Sequence, residues 1–255
     1  FFETFILKPN IPTYTEFNHH FNFLFNSYYE TVGERGIRAD RGNRSRPGVA
    51  EIMRYRKYVD ESMEGFLSEP PKKELADLLE IGMNHEQQHQ ELLLMDIKYL
   101  LGNNPLFPAY SDDGLFQPNH HGSEDKPIMI PEGIYEIGFA GNEFCYDNEK
   151  GRHKVYLSQF AIDSRPVANK EFLTFIEEGG YHDFHFWHSD GWAWRKENNI
   201  EAPLYWHKIN DHWHEYTLAG LHPLEKNDPV CHISYYEAAA FAAWAKMRLR
   251  TEAEG

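Results

Sequence analysis

Apolar and polar positions in the first hundred residues repeat with the period of an α-helix. Loops rich in Pro, Gly or Arg separate four such stretches, which cover residues 1–8, 20–31, 49–68 and 72–101. Pro9 and Pro12 are expected to end the first helix, and the Gly-Asn-Asn-Pro segment at 102–105 to end the fourth. Four helical segments joined by loops predict an antiparallel four-helix bundle.

The pattern changes after this bundle. Residues 106–131 are rich in Pro, Gly, Asn, Asp and His, which is typical of a linker. Beyond it the alternation of apolar residues predicts strands at 133–138 and 154–157 and helices at 170–178 and 235–247. The stretch from Tyr181 to Tyr216 is dense in Trp, Tyr and His without a regular pattern, and it is interpreted as irregular core. We therefore expect a helical domain at 1–105, a linker at 106–131 and an α+β domain at 132–255.

Composition narrows the classes of function. Hydrophobic residues make up 41% of the chain, which fits a folded protein, and a net charge of -15 disfavours nucleic acid as a partner. No run approaches the roughly 18 apolar residues of a membrane span, so we expect no membrane partner. Cys145 and Cys231 are the only cysteines, and a reducing, cytoplasmic location is the simplest expectation.

Both ends of the chain are unusual. The first residues have neither an initiator Met nor the basic region of a signal peptide, and the chain stops shortly after a predicted helix. We expect that segments are missing at both ends.

A candidate metal site occurs in the fourth predicted helix, where His85 and His89 are four residues apart. Residues at this spacing share a helix face, so the two imidazoles can chelate one divalent transition metal ion. Gln88 lies at the edge of the same face, where its amide could reach a ligand beside the metal. The alternative is a pair of solvated histidines on a polar helix.

The same residues match His-Glu-x-x-His, the pattern of zinc proteases, with Glu86 as the general base. However, no Glu occurs between Glu91 and Glu124 and no His between His89 and His120, where a third zinc ligand is expected. A zinc protease is therefore the weaker interpretation.

A second candidate site is the polar loop before the third helix. Five arginines fall within twelve residues of this acidic chain: Arg35, Arg38, Arg41, Arg44 and Arg46. Guanidinium groups bind carboxylates or phosphates in bidentate fashion, so the loop could hold an anionic substrate. The alternative is a solvated loop that balances local acidic residues.

These residues and several others resemble one family along the whole chain. Segments 26–30, 41–47 and 85–92 resemble the DinB-like helical domain of the ergothioneine-biosynthesis sulfoxide synthases (hercynine oxygenases). Their second domain has a formylglycine-generating-enzyme or sulfatase-modifying-factor fold, a C-type-lectin-like unit. Segments similar to that domain lie at 147–149, 152–153, 165–169, 177–181, 189–192, 202–206, 229–237 and 250–254.

The resemblance implies an enzyme that uses Fe(II) and O2 to join a thiol's sulfur to the imidazole of hercynine. Cysteine and γ-glutamylcysteine both remain possible thiol donors, and relatives that act on histidine itself keep the acceptor open. A non-catalytic protein that combines a DinB-like bundle with a lectin-like module is the alternative.

The resemblance also implies roles for single residues. His85 and His89 match two of the three histidines that hold iron, and the third is expected before Phe1. Gln88 matches the residue that hydrogen-bonds the substrate imidazole, and two arginines of the loop, Arg38 and Arg41, match those that grip the carboxylates of the thiol.

The chain departs from the family at its ends. A catalytic Tyr is expected beyond Gly255, and Arg250 stands where the family often has Pro. We expect the chain by itself to bind iron weakly and to have little or no activity.

Overall fold

A computed structural model describes residues 1–26, 45–111 and 126–255. The chain forms two compact units, Phe1–Leu92 and Leu93–Gly255. The boundary between them falls inside a long helix, whereas most of the linker predicted at 106–131 lies outside the described residues. Within the described ranges, no helix is both long enough and apolar enough to cross a bilayer.

Helices dominate the first unit. After a π-helical turn at Glu3–Leu7 come α1 (Lys8–Asn10), α2 (Phe21–Phe25), α3 (Val49–Phe66) and α4 (Lys73–Gly102). Each of the four predicted helical stretches therefore contains a helix. The arginine loop at 35–44, with Arg38 and Arg41, lies outside the described residues, so its proposed role in anion binding stays a prediction.

The prediction that Pro9 ends the first helix is wrong. Pro9 lies within a helical stretch that continues from the π-helical turn, since Leu7 and Lys8 both have helical backbone angles. The helix ends at Asn10 because Ile11 is extended, with φ -118° and ψ 98°. The ring of Pro12 disfavours the helical conformation for the residue before it.

Helix α4 carries an exposed apolar stretch after the histidine pair. Leu92, Leu93 and Leu94 keep 52%, 60% and 41% of their surface exposed. The described residues therefore leave these three leucines largely uncovered.

In its described part, the second unit contains three small antiparallel sheets. Its strands are β1 (Ile128–Ile130), β2 (Gly133–Ile137), β3 (His153–Leu157), β4 (Phe160–Ile162), β5 (Trp206–Ile209), β6 (His212–Thr217) and β7 (Gly220–Pro223). Strand β1 pairs with β4, β2 pairs with β3, and β6 lies between β5 and β7. The strands predicted at 133–138 and 154–157 are β2 and β3, which pair from Gly133↔Leu157 to Ile137↔His153.

Beside these sheets lie the helices α5 (Asn169–Glu177), α6 (Ser189–Glu197) and α7 (Tyr235–Trp244). Helix α7 begins with a capping box, in which Ser234 and Glu237 each bond the other's backbone N–H. It ends three residues before its predicted end. Lys246 has φ 58°, and the Met247 N–H turns back to the carbonyl of Ala242, which closes the helix.

Aromatic side chains form the core of the second unit. The buried members of this cluster are Phe172, Phe175, Tyr181, Trp187, Trp206, Leu224, Ala240 and Phe241. Helices α5 and α7 meet here, with the rings of Phe172 and Phe241 stacked at 5.3 Å. The aromatic stretch from Tyr181 to Tyr216 was interpreted as core, and the burial of Trp187 and Trp206 confirms that interpretation.

The same stretch is more regular than predicted, because it contains α6 and the hairpin β5–β6. Asn210 and Asp211 connect the two strands, with φ values of 48° and 63°. Two consecutive left-handed residues make the tight turn whose twist suits a two-residue hairpin. Asn and Asp tolerate this conformation best among the non-glycine residues.

Candidate functional site

The candidate metal site lies in the first unit, on helix α4. His85 and His89 follow each other on one face, and their Nε2 atoms lie 3.1 Å apart. The two rings stand almost perpendicular, at 84°, with centroids separated by 4.6 Å. The two imidazoles therefore lie on one face of the helix, as their spacing in the sequence predicted, and both direct Nε2 to the same point.

This separation fits a shared metal ion. Two imidazole nitrogens at about 2.1 Å from one first-row ion, at a right angle, lie about 3 Å apart. A pair of imidazoles is a donor set suited to iron, zinc, copper or nickel. No group of three His, Cys, Asp or Glu side chains arranged around a metal occurs within residues 1–26, 45–111 and 126–255. The described residues thus offer two candidate ligands.

The environment of His85 favours its neutral imidazole. Partial burial lowers the pKa of His85, and the neighbouring His89 lowers it further. Since the neutral ring is the form that binds a metal, this shift keeps a lone pair available near neutral pH.

An aromatic wall stands beside His85. The ring of Phe1 lies 5.7 Å from the His85 imidazole, centroid to centroid. Gly82, one turn before His85, makes room for it, because a Cβ there would lie 2.7 Å from Phe1 and 2.8 Å from Phe2. Gly82 was not among the predicted site residues, although an isolated glycine inside a helix can have a packing reason.

Other residues of α4 have different surroundings. Gln88 lies in the turn between the two histidines, and its side chain is exposed. Glu86, the base expected of a zinc protease, is also exposed and lies 3.7 Å from the guanidinium of Arg56 on α3. The side chain of Gln88 is thus accessible from solvent, whereas Glu86 has the Arg56 cation beside it.

A second polar cluster, in the second unit, was not predicted. The Nζ of Lys98 lies 2.7 Å from Nε2 of His232 and 4.7 Å from the ring centre of Tyr205. Tyr205 and His232 meet edge to face at 4.9 Å. Both have positive φ, 75° and 59°, a strained conformation for residues with side chains.

Electrostatics in this cluster favour a neutral His232. Burial and the Lys98 ammonium lower the pKa of His232 to about 4. Burial also lowers the pKa of Lys98, although Glu215 opposes this shift. Tyr205 and His232 line an open groove of about 730 Å³, together with Trp194, Trp206 and Trp213. Little in the sequence could have indicated this cluster, because Lys98 and His232 are 134 positions apart.

Comparison with known families gives one match over more than half of the chain. Residues 112–255 match the family described as sulfatase-modifying factor enzyme 1-like domain. The match covers the part of the chain for which a sulfatase-modifying-factor-like fold was expected.

Three similar proteins illustrate the range of relatives. A hercynine oxygenase of Mycolicibacterium thermoresistibile is 32% identical over 183 residues, which cover 70% of this chain and 40% of that protein. The uncharacterized protein YfmG of Bacillus subtilis is 30% identical over 224 residues, 80% of this chain and 41% of YfmG. An inactive C-alpha-formylglycine-generating enzyme 2 of Mus musculus is 29% identical over 147 residues, 52% of this chain and 47% of the mouse protein. The chain spans about 40% of the length of the hercynine oxygenase.

Proposed function

Because the chain belongs to the sulfatase-modifying factor enzyme 1-like family and is similar to hercynine oxygenases over 70% of its length, we propose that it is part of an Fe(II)- and O2-dependent sulfoxide synthase. The reaction joins the sulfur of a thiol, cysteine or γ-glutamylcysteine, to the imidazole carbon of hercynine. In it a thiol, an imidazole C–H and O2 give a sulfoxide and one water. On this proposal the first unit belongs to a DinB-like bundle, and the protein acts on small molecules in the cytoplasm.

The observation that carries the proposal is the His85–His89 pair. Its Nε2 atoms, 3.1 Å apart, are close enough to bind one metal ion together. A metal held by few protein ligands keeps open positions, and a reaction of two substrates with O2 requires them. Bound iron(II) would supply the activation of O2.

The remaining roles rest on the family resemblance and, for Gln88, on its position on α4. Gln88 would hydrogen-bond the imidazole of the acceptor, since its exposed amide lies in the turn between the two ligands. Arg38 and Arg41 would bind the carboxylates of the thiol substrate. A third histidine preceding Phe1 would complete the iron ligands. Because Phe1 contacts His85, a residue shortly before Phe1 would lie near the histidine pair, which supports this position.

O2 consumption tests the proposal most directly. The longest natural protein that contains these residues is loaded anaerobically with Fe(II) and given hercynine with either thiol. We expect uptake only when both substrates are present, and mass spectrometry should detect the sulfoxide. Histidine in place of hercynine tests the alternative acceptor.

A His85→Ala variant should lose both uptake and bound iron, whereas Gln90→Ala, on the same helix, should keep both. No uptake by an iron-loaded protein with either acceptor would contradict the proposed reaction. Zinc-dependent peptide cleavage without O2 would instead establish the protease.

A non-catalytic binding protein is the second candidate. One relative is named an inactive formylglycine-generating enzyme 2, so this type of domain occurs without that activity in at least one named protein. Binding of hercynine or thiol without O2 uptake, in a protein that holds no iron, would favour this candidate.

A further inference from the structure

Glu3 is buried in the first unit, where a charge is costly. It keeps only 6% of its surface exposed, and among the described residues of this unit it is the one charged side chain that is buried. A carboxylate removed from water must be hydrogen-bonded to be tolerated. Its burial next to the histidine helix therefore calls for an explanation.

Two tyrosines satisfy this carboxylate. The hydroxyl of Tyr14 donates to Oε1 and that of Tyr55, on α3, donates to Oε2, each at 2.7 Å. Burial and the Glu3 carboxylate raise the pKa of both tyrosines, so both hydroxyls keep their protons and remain donors. Hydrogen bonds to a charged acceptor are roughly twice as strong as neutral ones.

The backbone around Glu3 is unusual as well. The N–H of Lys8 donates to the carbonyl of Glu3, five residues earlier, which closes a π-helical turn. Such turns are rare and frequently lie at functional sites. Ile6 and Leu7 in the same turn are fully buried, so the turn is held by packing as well as by the tyrosines.

The π-helical turn connects Glu3 and its two tyrosine partners to the histidine pair. Glu3 binds Tyr55 of α3, and Phe1 and Phe2, only one and two residues before it, pack over Gly82 of α4. Phe1 then touches the ring of His85. A shift of Glu3 would therefore move Phe1 and Phe2 and remove the ring contact that holds the His85 imidazole.

We propose that Glu3 is a positioning residue of the histidine pair: through Tyr14 and Tyr55 it fixes the Phe1–Phe2 wall against His85, and so the spacing of the two imidazoles. The inference rests on the proposed function only where it concerns a bound metal. Outer partners of metal ligands typically change affinity by about 10- to 100-fold, because they orient the ligand.

The test uses Co(II) as the probe and two variants that preserve shape. Glu3→Gln keeps the side-chain volume but removes the charge, and Tyr55→Phe removes one hydrogen bond. Tyr58→Phe is the matched control, since the Tyr58 hydroxyl donates to the Thr15 carbonyl and not to Glu3. Calorimetry measures Co(II) affinity, and thermal unfolding of the metal-free proteins shows that each variant is folded.

We expect Glu3→Gln to weaken Co(II) binding by about tenfold, and Tyr55→Phe to weaken it less. Tyr58→Phe should stay near the wild-type value. In metal-free protein, the ¹⁵N resonances of the His85 ring should shift in both Glu3→Gln and Tyr55→Phe, but not in Tyr58→Phe. Folded variants with unchanged His85 resonances and unchanged affinity would overturn the role of Glu3.

The two proposals fail in different ways. If wild-type protein binds no Co(II), the metal centre is wrong, and the His85 resonances still decide whether Glu3 positions the ring. If wild-type protein binds Co(II), and Glu3→Gln and Tyr55→Phe change neither the affinity nor the His85 resonances, the metal centre is supported and the positioning role is wrong.

Discussion

The ring of Phe1 reaches the imidazole of His85 across the bare backbone of Gly82. The two ring centroids are 5.7 Å apart, and any side chain at residue 82 would collide with both Phe1 and Phe2. The absence of a Cβ at Gly82 on α4 is thus required for Phe1 and Phe2 to pack beside the candidate metal site.

Replacing Gly82 with alanine should destabilise the protein, even though alanine is the better helix former. The new methyl group would overlap the two rings at 2.7–2.8 Å, and such overpacking costs about 1–3 kcal/mol. Urea denaturation measures the free energy of unfolding. Gly65→Ala on α3 is the control, because nothing lies within 4 Å of its Cβ. There the gain in helix propensity should stabilise by about 0.5–1 kcal/mol. Equal effects at both glycines would contradict the close approach.

Loss of either imidazole should remove metal binding. We expect His85→Ala and His89→Ala to weaken Co(II) binding by more than the about 10- to 100-fold typical of an outer partner, because each deletes a ligand. Calorimetry under anaerobic conditions gives the affinities. If the variants bind Co(II) as wild type does, the ion lies elsewhere.

The low pKa of His232 predicts a specific pH dependence. The pKa of His232 is about 4 in the folded protein, against an ordinary value of 6.5. Between these two pH values the ring is protonated in the unfolded chain and neutral in the folded protein. The contribution of His232 to stability is therefore complete above pH 6.5 and is lost as the pH falls towards 4.

An NMR titration of the histidine side chains checks this directly. The pKa of His232 should lie near 4. Lys98→Met should raise this pKa, because the positive charge is one of the two causes that lower it, the other being burial. Lys98→Arg keeps the positive charge and should raise it less. A wild-type midpoint close to 6.5 would show that the Lys98–His232 contact does not form.

The hairpin turn at Asn210–Asp211 offers a test of backbone strain. Asp211 has φ 63°, which glycine adopts freely and β-branched residues adopt poorly. We expect Asp211→Gly to be neutral or to stabilise by up to about 1 kcal/mol, and Asp211→Val to destabilise by about 1–2 kcal/mol. Thermal unfolding compares the two. Equal stability of both variants would contradict the left-handed turn.

Local patterns identified the elements whose signal is local. Helix α4 and the strands β2 and β3 were predicted within a few residues, because their apolar period is regular over their whole length. The hairpin β5–β6 was missed because His and Trp alternate there without a clear contrast between a polar and an apolar face. Its one usable signal was the Asn210–Asp211 pair.

The candidate site shows the same division. The pairing of His85 with His89 was predictable, since it depends only on helix geometry. The approach of Phe1 to His85 and of Lys98 to His232 joins residues far apart in sequence, and no local pattern encodes such contacts. Arg38 and Arg41 lie outside the described residues, so their role stays a prediction.

Helix α4 belongs to both compact units, which divide between Leu92 and Leu93. Boundaries between domains usually fall in exposed linkers, where proteases cut and genes are easily split. Here the boundary is a continuous stretch of helical hydrogen bonds, which offers a protease no extended segment to bind. A gene divided at this position would give each half an open helix end. Fragments meant for separate production are therefore better ended elsewhere than at Leu92.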